Sequence, residues 1–488
     1  MCQSLICDNV IPGGFKCKVI SMGVLTVDEA IEKSGCGLSQ VIYVGASSGI
    51  FFLELLSLVS DGIILPIIKC EWNLTGWQAS GYLLSTRMAF CVGGAVGGLF
   101  GDRIGRRRSI LMGLLFQIIM TTIALNCYSV LWYVFFHALK NVAFGIIMPS
   151  AGALALESCP AAKRFLVKVV FGYSGCAGAV FGAFIGRYYE SYGWRNIQLL
   201  VTFPCYLAFF AFLFLDSSPR HLLVKGKQKE AEEIVKKFLR RNGKLVENQF
   251  FLVKEGDIKE TCGSYRDLFR HGLARHSYKL MFMIFMKGVF ASTFYITMPY
   301  LLGTKTKDEG ETLNHPENCY SVNSRAQSKL VTAFLPDLLI NPGLLLVAQC
   351  YGRRKAISMA FFLASVSLFT SSFVSFGLSA FSLAIGTALA TIAAGRGVIM
   401  LYTSELYPTT LRGVATGMIW VTDNIGSFTS PFLAEFVILS APRLFICLAA
   451  VGMGAAALIA RTLDTETLNR PLAASIADMP AKRQVLTI

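Results

Sequence analysis

The chain has 488 residues, 54% of them hydrophobic and only 15% charged, with a mean hydropathy of +0.56; a water-exposed surface needs more charge, which excludes an ordinary soluble domain and makes lipid the expected solvent. The net charge of +15 would point to nucleic acid in a soluble protein, but here the basic residues fall in short connectors between apolar stretches, where anionic headgroups supply the counter-charge, and no nucleic-acid partner is expected. The 14 cysteines contain no C-x-x-C pair, and many, such as Cys91, Cys176, Cys205 and Cys447, sit inside apolar stretches as small hydrophobes, so neither metal nor cofactor is expected.

Residues 1–40 read as a cytosolic tail, with Val27–Glu32 patterned for a short helical turn and no signal-peptide pattern. Six apolar stretches follow at about 41–68, 77–99, 109–126, 130–156, 166–186 and 197–215, each near the length of roughly 20 residues that crosses a bilayer. A polar connector over 216–278 contains the amphipathic segment Gln228–Leu239. A second set follows at about 279–302, 328–348, 356–376, 379–403, 413–437 and 443–463, before a polar tail over 464–488. The expected fold is an all-α polytopic membrane protein of twelve transmembrane helices in two pseudo-symmetric six-helix bundles, 41–215 and 279–463, working as a monomer.

Arg103, Arg106, Arg107 and Arg108 after span 2, and Arg353, Arg354 and Lys355 after span 8, are unbalanced basic clusters, which place those loops in the cytosol together with both tails and the connector. Asn73-Leu74-Thr75 is then a glycosylation sequon on the opposite face, close to the membrane. Cys70, Cys127 and Cys319 lie on that face, where a disulfide is chemically feasible without being implied.

Three boundary motifs occur twice in the same order. Gly105-Arg106-Arg107-Arg108 returns 247 residues later as Gly352-Arg353-Arg354-Lys355. Glu157-x-x-Pro160-x-x-x-Arg164 returns after 248 residues as Glu405-x-x-Pro408-x-x-x-Arg412, and Leu215-Asp216 returns after 248 as Leu463-Asp464. A duplicated multi-span unit follows from this, and with it a two-half carrier.

Cys70-Glu71-Trp72 with Trp77-Gln78, Gly101-Asp102-Arg103-x-Gly105-Arg106-Arg107, Gly193-Trp194-Arg195, Ser218-Pro219-Arg220-x-Leu222-Leu223 and Glu405-Leu406-Tyr407-Pro408-Thr409-x-x-Arg412-Gly413 together resemble the major facilitator superfamily, in the branch holding sugar porters and organic cation/anion transporters. The run Thr26–Gly37 is most similar to synaptic vesicle 2-related proteins, which implies a vesicle or plasma membrane. The resemblance implies that Asp102 at the end of span 2, with Arg103, Arg106 and Arg107, latches the halves on the cytosolic face against the start of span 11, whose helix N-terminus carries partial positive charge. It likewise implies that Glu157 with Arg164, and Glu405 with Arg412, partner Arg106 and Arg353 in the same layer, with Arg354 counted in the same cytosolic gate. The alternative is that these basic loops only fix topology. Three departures stand out: Gln349 occupies the second-half place of Asp102, Arg87 stands where the family is apolar, and Lys140 takes the place of a span-4 arginine.

Ionisable residues at mid-membrane cost about 2.5 kcal/mol or more each on insertion scales, so they are functional candidates by default. Glu54 and Asp61 lie seven residues apart in span 1 and share a helix face. Arg87 and Lys140 are their candidate partners, and Lys287, Asp337, Arg396 and Asp423 are the second-half equivalents. Two readings stay open: Glu54 couples transport to a co-transported proton, a common role of the first-span acid in the relatives, or a permanent Glu54–Arg87 or Asp61–Arg87 bridge only holds helices together. Tyr82, Phe294, Tyr295, Tyr300, Trp420 and Asn424 offer aromatic and amide groups suited to a planar or cationic organic solute, with packing as the alternative role.

No phosphate-cradling loop, metal-ligand spacing or nucleophile elbow emerges, so no enzyme is expected. The expected function is alternating-access transport of a small organic solute, an organic ion among the candidates. The alternative is a non-transporting membrane protein of the same fold, acting as a vesicle component, receptor or scaffold.

Overall fold

A computed structural model of the chain describes residues 27–160, 163–189, 193–244, 265–270, 273–303, 324–375, 379–407, 409–438 and 440–468, with the short pairs 24–25 and 251–252. The helices are α1 (Val27–Ser34), α2 (Leu38–Glu71), α3 (Gly76–Ile104), α4 (Arg106–Leu125), α5 (Val130–Glu157), α6 (Arg164–Tyr189) and α7 (Trp194–Leu213), then α8 (Pro219–Val224) and α9 (Gln228–Arg241). They continue as α10 (Ala274–Gly303), α11 (Ser324–Phe334), α12 (Asp337–Tyr351), α13 (Arg353–Ser371), α14 (Ser379–Leu406), α15 (Thr409–Phe428), α16 (Ser430–Phe432) and α17 (Pro442–Arg461). Among the described residues nine helical stretches are long and apolar enough to cross a membrane on their own. With the glycine-rich α3 and the more polar α13 and α15 they form two sets of six: α2–α7, and α10, α11–α12, α13, α14, α15–α16 and α17.

Two of these crossings are broken. α11 stops at Phe334 and α12 restarts after Pro336, and α15 gives way at Thr429 to α16 and a π-helical turn over Leu433–Ile438. Pro336 and Pro431, which lack the N–H that a continuous helix would use, sit at the two interruptions, whereas Pro66, Pro149, Pro204 and Pro342 are carried inside unbroken helices.

Small residues set the closest approach. A side chain at Gly97 would stand 2.7 Å from Ile146 Cα, so the α3 and α5 backbones touch there. The duplicated turn has its own requirement: Gly105 adopts φ 105 and Gly352 φ 101, a region that only glycine enters freely, and each turns the chain directly into the arginine-led helix that follows.

On the side carrying the basic loops, α9 buries Ala231, Val235 and Leu239 against Val27, Ala30 and Ile31 of α1 and Leu222 of α8. Asn242, just past α9, accepts from the Ser39 backbone N–H at 3.1 Å and donates to Gln40 Oε1 at 2.8 Å, fixing the connector to the first turn of α2. Val24–Leu25 also pairs in parallel with Phe251–Leu252.

At the opposite face Trp194 Nε1 donates to Glu71 at 2.8 Å and Arg195 pairs with the same carboxylate at 3.2 Å, while Trp72, Tyr133 and Trp194 stack edge to face. Two of the family-like motifs thus form one cluster within the first half. The halves meet there through the Lys69–Glu435 ion pair, the Trp77–Phe436 ring contact at 4.7 Å and a Ser80 Oγ hydrogen bond to the Pro431 carbonyl at 3.3 Å. Asn73 is exposed in the tight turn between α2 and α3, with φ 48. Cys70 is disulfide-bonded and Cys127 is a free thiol; Cys319 lies outside the described residues.

Candidate functional site

Between the two halves lies a cavity of about 1270 Å³ that runs from mid-membrane to the basic side. Its inner wall carries Glu54, Asp61 and Arg87 from the first half and Lys287, Arg396 and Asp423 from the second; its outer rim carries Arg106, Arg164, Arg353 and Glu405. The helical phase of α2 puts Glu54 and Asp61 on one stripe, and both line the cavity.

The second half holds its charges as a cluster. Asp423 of α15 accepts from Lys287 Nζ of α10 at 3.0 and 2.9 Å and faces Arg396 Nε of α14 at 3.5 Å, so two cations share one carboxylate. The Arg396 guanidinium also lies 4.5 Å from the centroid of the Trp420 ring, a cation–π geometry. Asn424 lines the cavity and donates to the Trp420 carbonyl at 2.9 Å, while Tyr295 lines it with its ring stacked on Phe334. Asp337 lines it from α12, with one carboxylate oxygen, Oδ1, buried and lacking a hydrogen-bond partner.

The first half is arranged differently from the expected Glu54–Arg87 or Asp61–Arg87 bridge. Asp61 faces His137 Nε2 of α5 at 3.6 Å, and that ring is also within 3.3 Å of the Tyr82 hydroxyl. Lys140, one turn further along α5, is buried within electrostatic reach of Asp61, behind the cavity wall rather than on it. His137 takes the position beside Asp61 that Arg87 was expected to fill, and among the described residues no ion pair within 4 Å joins Arg87 to Glu54 or Asp61. Arg87 Nε is buried without a hydrogen-bond partner.

Of the expected aromatic lining, Trp420 and Tyr295 reach the cavity, whereas Tyr82 is bonded to His137 and Phe294 is packed on Phe445. The side chain of Tyr300 lies outside the described residues. Two groups were missed from sequence. His137 sits in an apolar run with no partner at recognisable spacing; Lys168 lines the cavity one helical turn after Arg164, a spacing that was available as a signal.

The basic rim repeats itself as the motifs do. Arg106 Nε lies 3.4 Å from Glu157, which also accepts from Ser218 Oγ at 2.7 Å. Arg353 binds Glu405 through two parallel bonds of 3.0 and 2.8 Å, and Glu405 also accepts from Thr467 Oγ1 at 2.6 Å. Arg107 donates to the Phe212 and Leu213 carbonyls and Arg354 to that of Arg461, so each second arginine fastens the last span of its own half. Each of these bonds stays within one half. Arg103 is exposed, and the side chains of Asp102 and Arg412 lie outside the described residues. Burial pushes the Tyr407 hydroxyl up to about 12, so beside this rim it stays protonated and bonded to Ser277 Oγ at 2.7 Å.

Among the described residues no group of three or more His, Cys, Asp or Glu is placed to hold a metal ion. The model of the Major Facilitator Superfamily matches residues 50–314, more than half of the chain. The chain belongs to the major facilitator superfamily. It is an integral, multi-pass membrane protein of that fold. It is 25% identical to the Mus musculus protein named "Putative transporter SVOPL", over 92% of this chain and 93% of that one. It is 24% identical to the synaptic vesicle 2-related protein of Xenopus laevis, over 91% and 82% of the two chains. The inward-open xylose transporter XylE from E. coli shares the superfamily fold, with a TM-score of 0.66, 14% identity and coverage of 88% and 97%.

Proposed function

We propose that the chain is a secondary carrier of a small organic solute, working by alternating access and standing here open to the cytosol. The observation that carries this reading is the cavity between the halves: joined by Lys69–Glu435 and Trp77–Phe436 at one face, it reaches the arginine-lined rim at the other. The bundles 41–215 and 279–463 would rock about that cavity, and Asp102 with the rim arginines would latch the cytosolic face in the opposite state. The transporter in the name of the mouse relative and in that of the structural neighbour supports the reading, and the synaptic vesicle in the name of the Xenopus relative supports an intracellular vesicle membrane.

Glu54 is proposed as the proton carrier. It lines the cavity and makes no ion pair within 4 Å among the described residues, which leaves its carboxylate open to the cavity. Uptake into proteoliposomes, screened over organic ions and sugars with and without a pH gradient, tests both claims. Solute accumulation driven by the gradient in wild type and lost in Glu54→Gln is the expected result. Gradient-independent uptake removes the proton, and no uptake of any solute favours the non-transporting reading.

A further inference from the structure

We propose that the solute is an organic anion, a carboxylate on a planar apolar body, held in the central cavity by Arg87 and Lys168; this rests on the carrier reading above. Four cations face the inner cavity: Arg87, Lys168, Lys287 and Arg396. Asp423 answers two of them, Lys287 and Arg396. Arg87 and Lys168 make no ion pair within 4 Å among the described residues, and Arg87 Nε is buried without a hydrogen-bond partner.

The four cations form one electrostatic group. Lys168 lies within reach of Arg396, which repels it, and Arg87 lies within reach of Asp61, Glu54 and Asp423. Setting Glu54 and Asp423 against the four leaves two positive charges over. Asp337 stands apart, beside Cys176 and Asn341 on the seam between α6 and α12, and pairs with none of them. Asp61 lies within reach of Lys140, His137 and Arg87, and counting it together with the buried Lys140 leaves the same excess of two. Uncompensated cations in a membrane interior are costly, and a bound anion is the partner that completes them.

The apolar part of the ligand follows from what flanks the cations. Trp420 lies under Arg396, Phe171 lies 5.9 Å from Lys168 Nζ, and Tyr295 faces the same space. Aromatic faces beside guanidinium and ammonium groups suit a flat conjugated carboxylate, with Arg87 supplying a planar fork for its two oxygens. The sequence favoured a planar or cationic solute from the aromatics alone; the placement of charge keeps the planar body and reverses the sign.

The test uses the full-length protein in nanodiscs and in proteoliposomes, with benzoate, 2-naphthoate and indole-3-acetate, each beside its uncharged amide. Thermal stabilisation and uptake are expected for carboxylates over amides, weakened about tenfold or more in Arg87→Gln and Lys168→Gln, since each removes a charge-assisted bond in a desolvated site. Lys168→Arg should restore most of the preference, and Lys229→Gln on exposed α9 should leave it intact, which separates the effect from misfolding. Equal response to the amides, preference for the corresponding amines, failure of all three carboxylates to bind, or unchanged selectivity in both Gln variants overturns the proposal. Uptake of a neutral or cationic solute under those results leaves the carrier reading standing without the anion. Carboxylate binding without uptake keeps the anion site and removes transport.

Discussion

Asp423 is the residue on which most of the second-half charge depends, because Lys287 and Arg396 both face its carboxylate. Asp423→Asn leaves two cations uncompensated in a largely buried cluster, and removing one member of a buried pair costs about 3–5 kcal/mol. Thermal unfolding in nanodiscs should show that loss, and Asp423→Asn with Lys287→Gln should recover part of it; an unchanged midpoint in the single variant would mean that the cluster is water-filled and already screened. At the rim, Glu405→Gln removes the acceptor of a two-point arginine contact and should cost about 1.5–3 kcal/mol, the range for hydrogen bonds to charged groups. Glu157→Gln, with a single longer arginine contact at 3.4 Å, should cost less, and the same melting series ranks them. The Arg106–Glu157 and Arg353–Glu405 contacts were expected from the family resemblance, and the repeat of both motifs placed them at matching positions in the two halves. Asp61–His137 was not, because it has no second copy and a lone histidine in an apolar run looks like packing.

At the scale of elements, the best-defined local requirement is the left-handed turn before α4 and α13. Gly105→Ala and Gly352→Ala should each lose about 1–3 kcal/mol, the usual cost of a side chain in such a backbone region, and folded yield by fluorescence-detected gel filtration reads this directly. Equal tolerance at both sites would show that the turns can relax. Where the helices run was legible in broad outline from hydropathy, and α9 from its amphipathic spacing. The interruptions at Pro336 and Pro431 were not, because a hydropathy window averages over a missing N–H and sees only that the stretch stays apolar. The same averaging hides the reach of α3, whose polar last turn through Ile104 is helical but no longer oily.

For the whole molecule, the balance between the two open states depends on what closes the face opposite the cavity mouth. Glu435→Gln removes the ion-pair partner of Lys69 and should shift the population away from the cytosol-open form by about 1 kcal/mol or less, given the partial exposure of the pair. Cys91 lines the cavity, so a membrane-impermeant thiol reagent applied from the cytosolic side should label it more slowly in that variant; faster labelling would reverse the assignment of which face is shut. That two halves enclose a pocket could be read from the repeated motifs. Which end is open could not, because one sequence encodes both states and hydropathy is blind to their difference.

The anchoring of Asn242 to Ser39 and Gln40 makes α9 a passenger of the first bundle, whereas Leu268 is bonded through its carbonyl to Ser277 at the foot of the second. A fluorophore on each of these two anchors would therefore act as a ruler laid across the hinge. Its reading would change with every turnover, even before the cargo has been named.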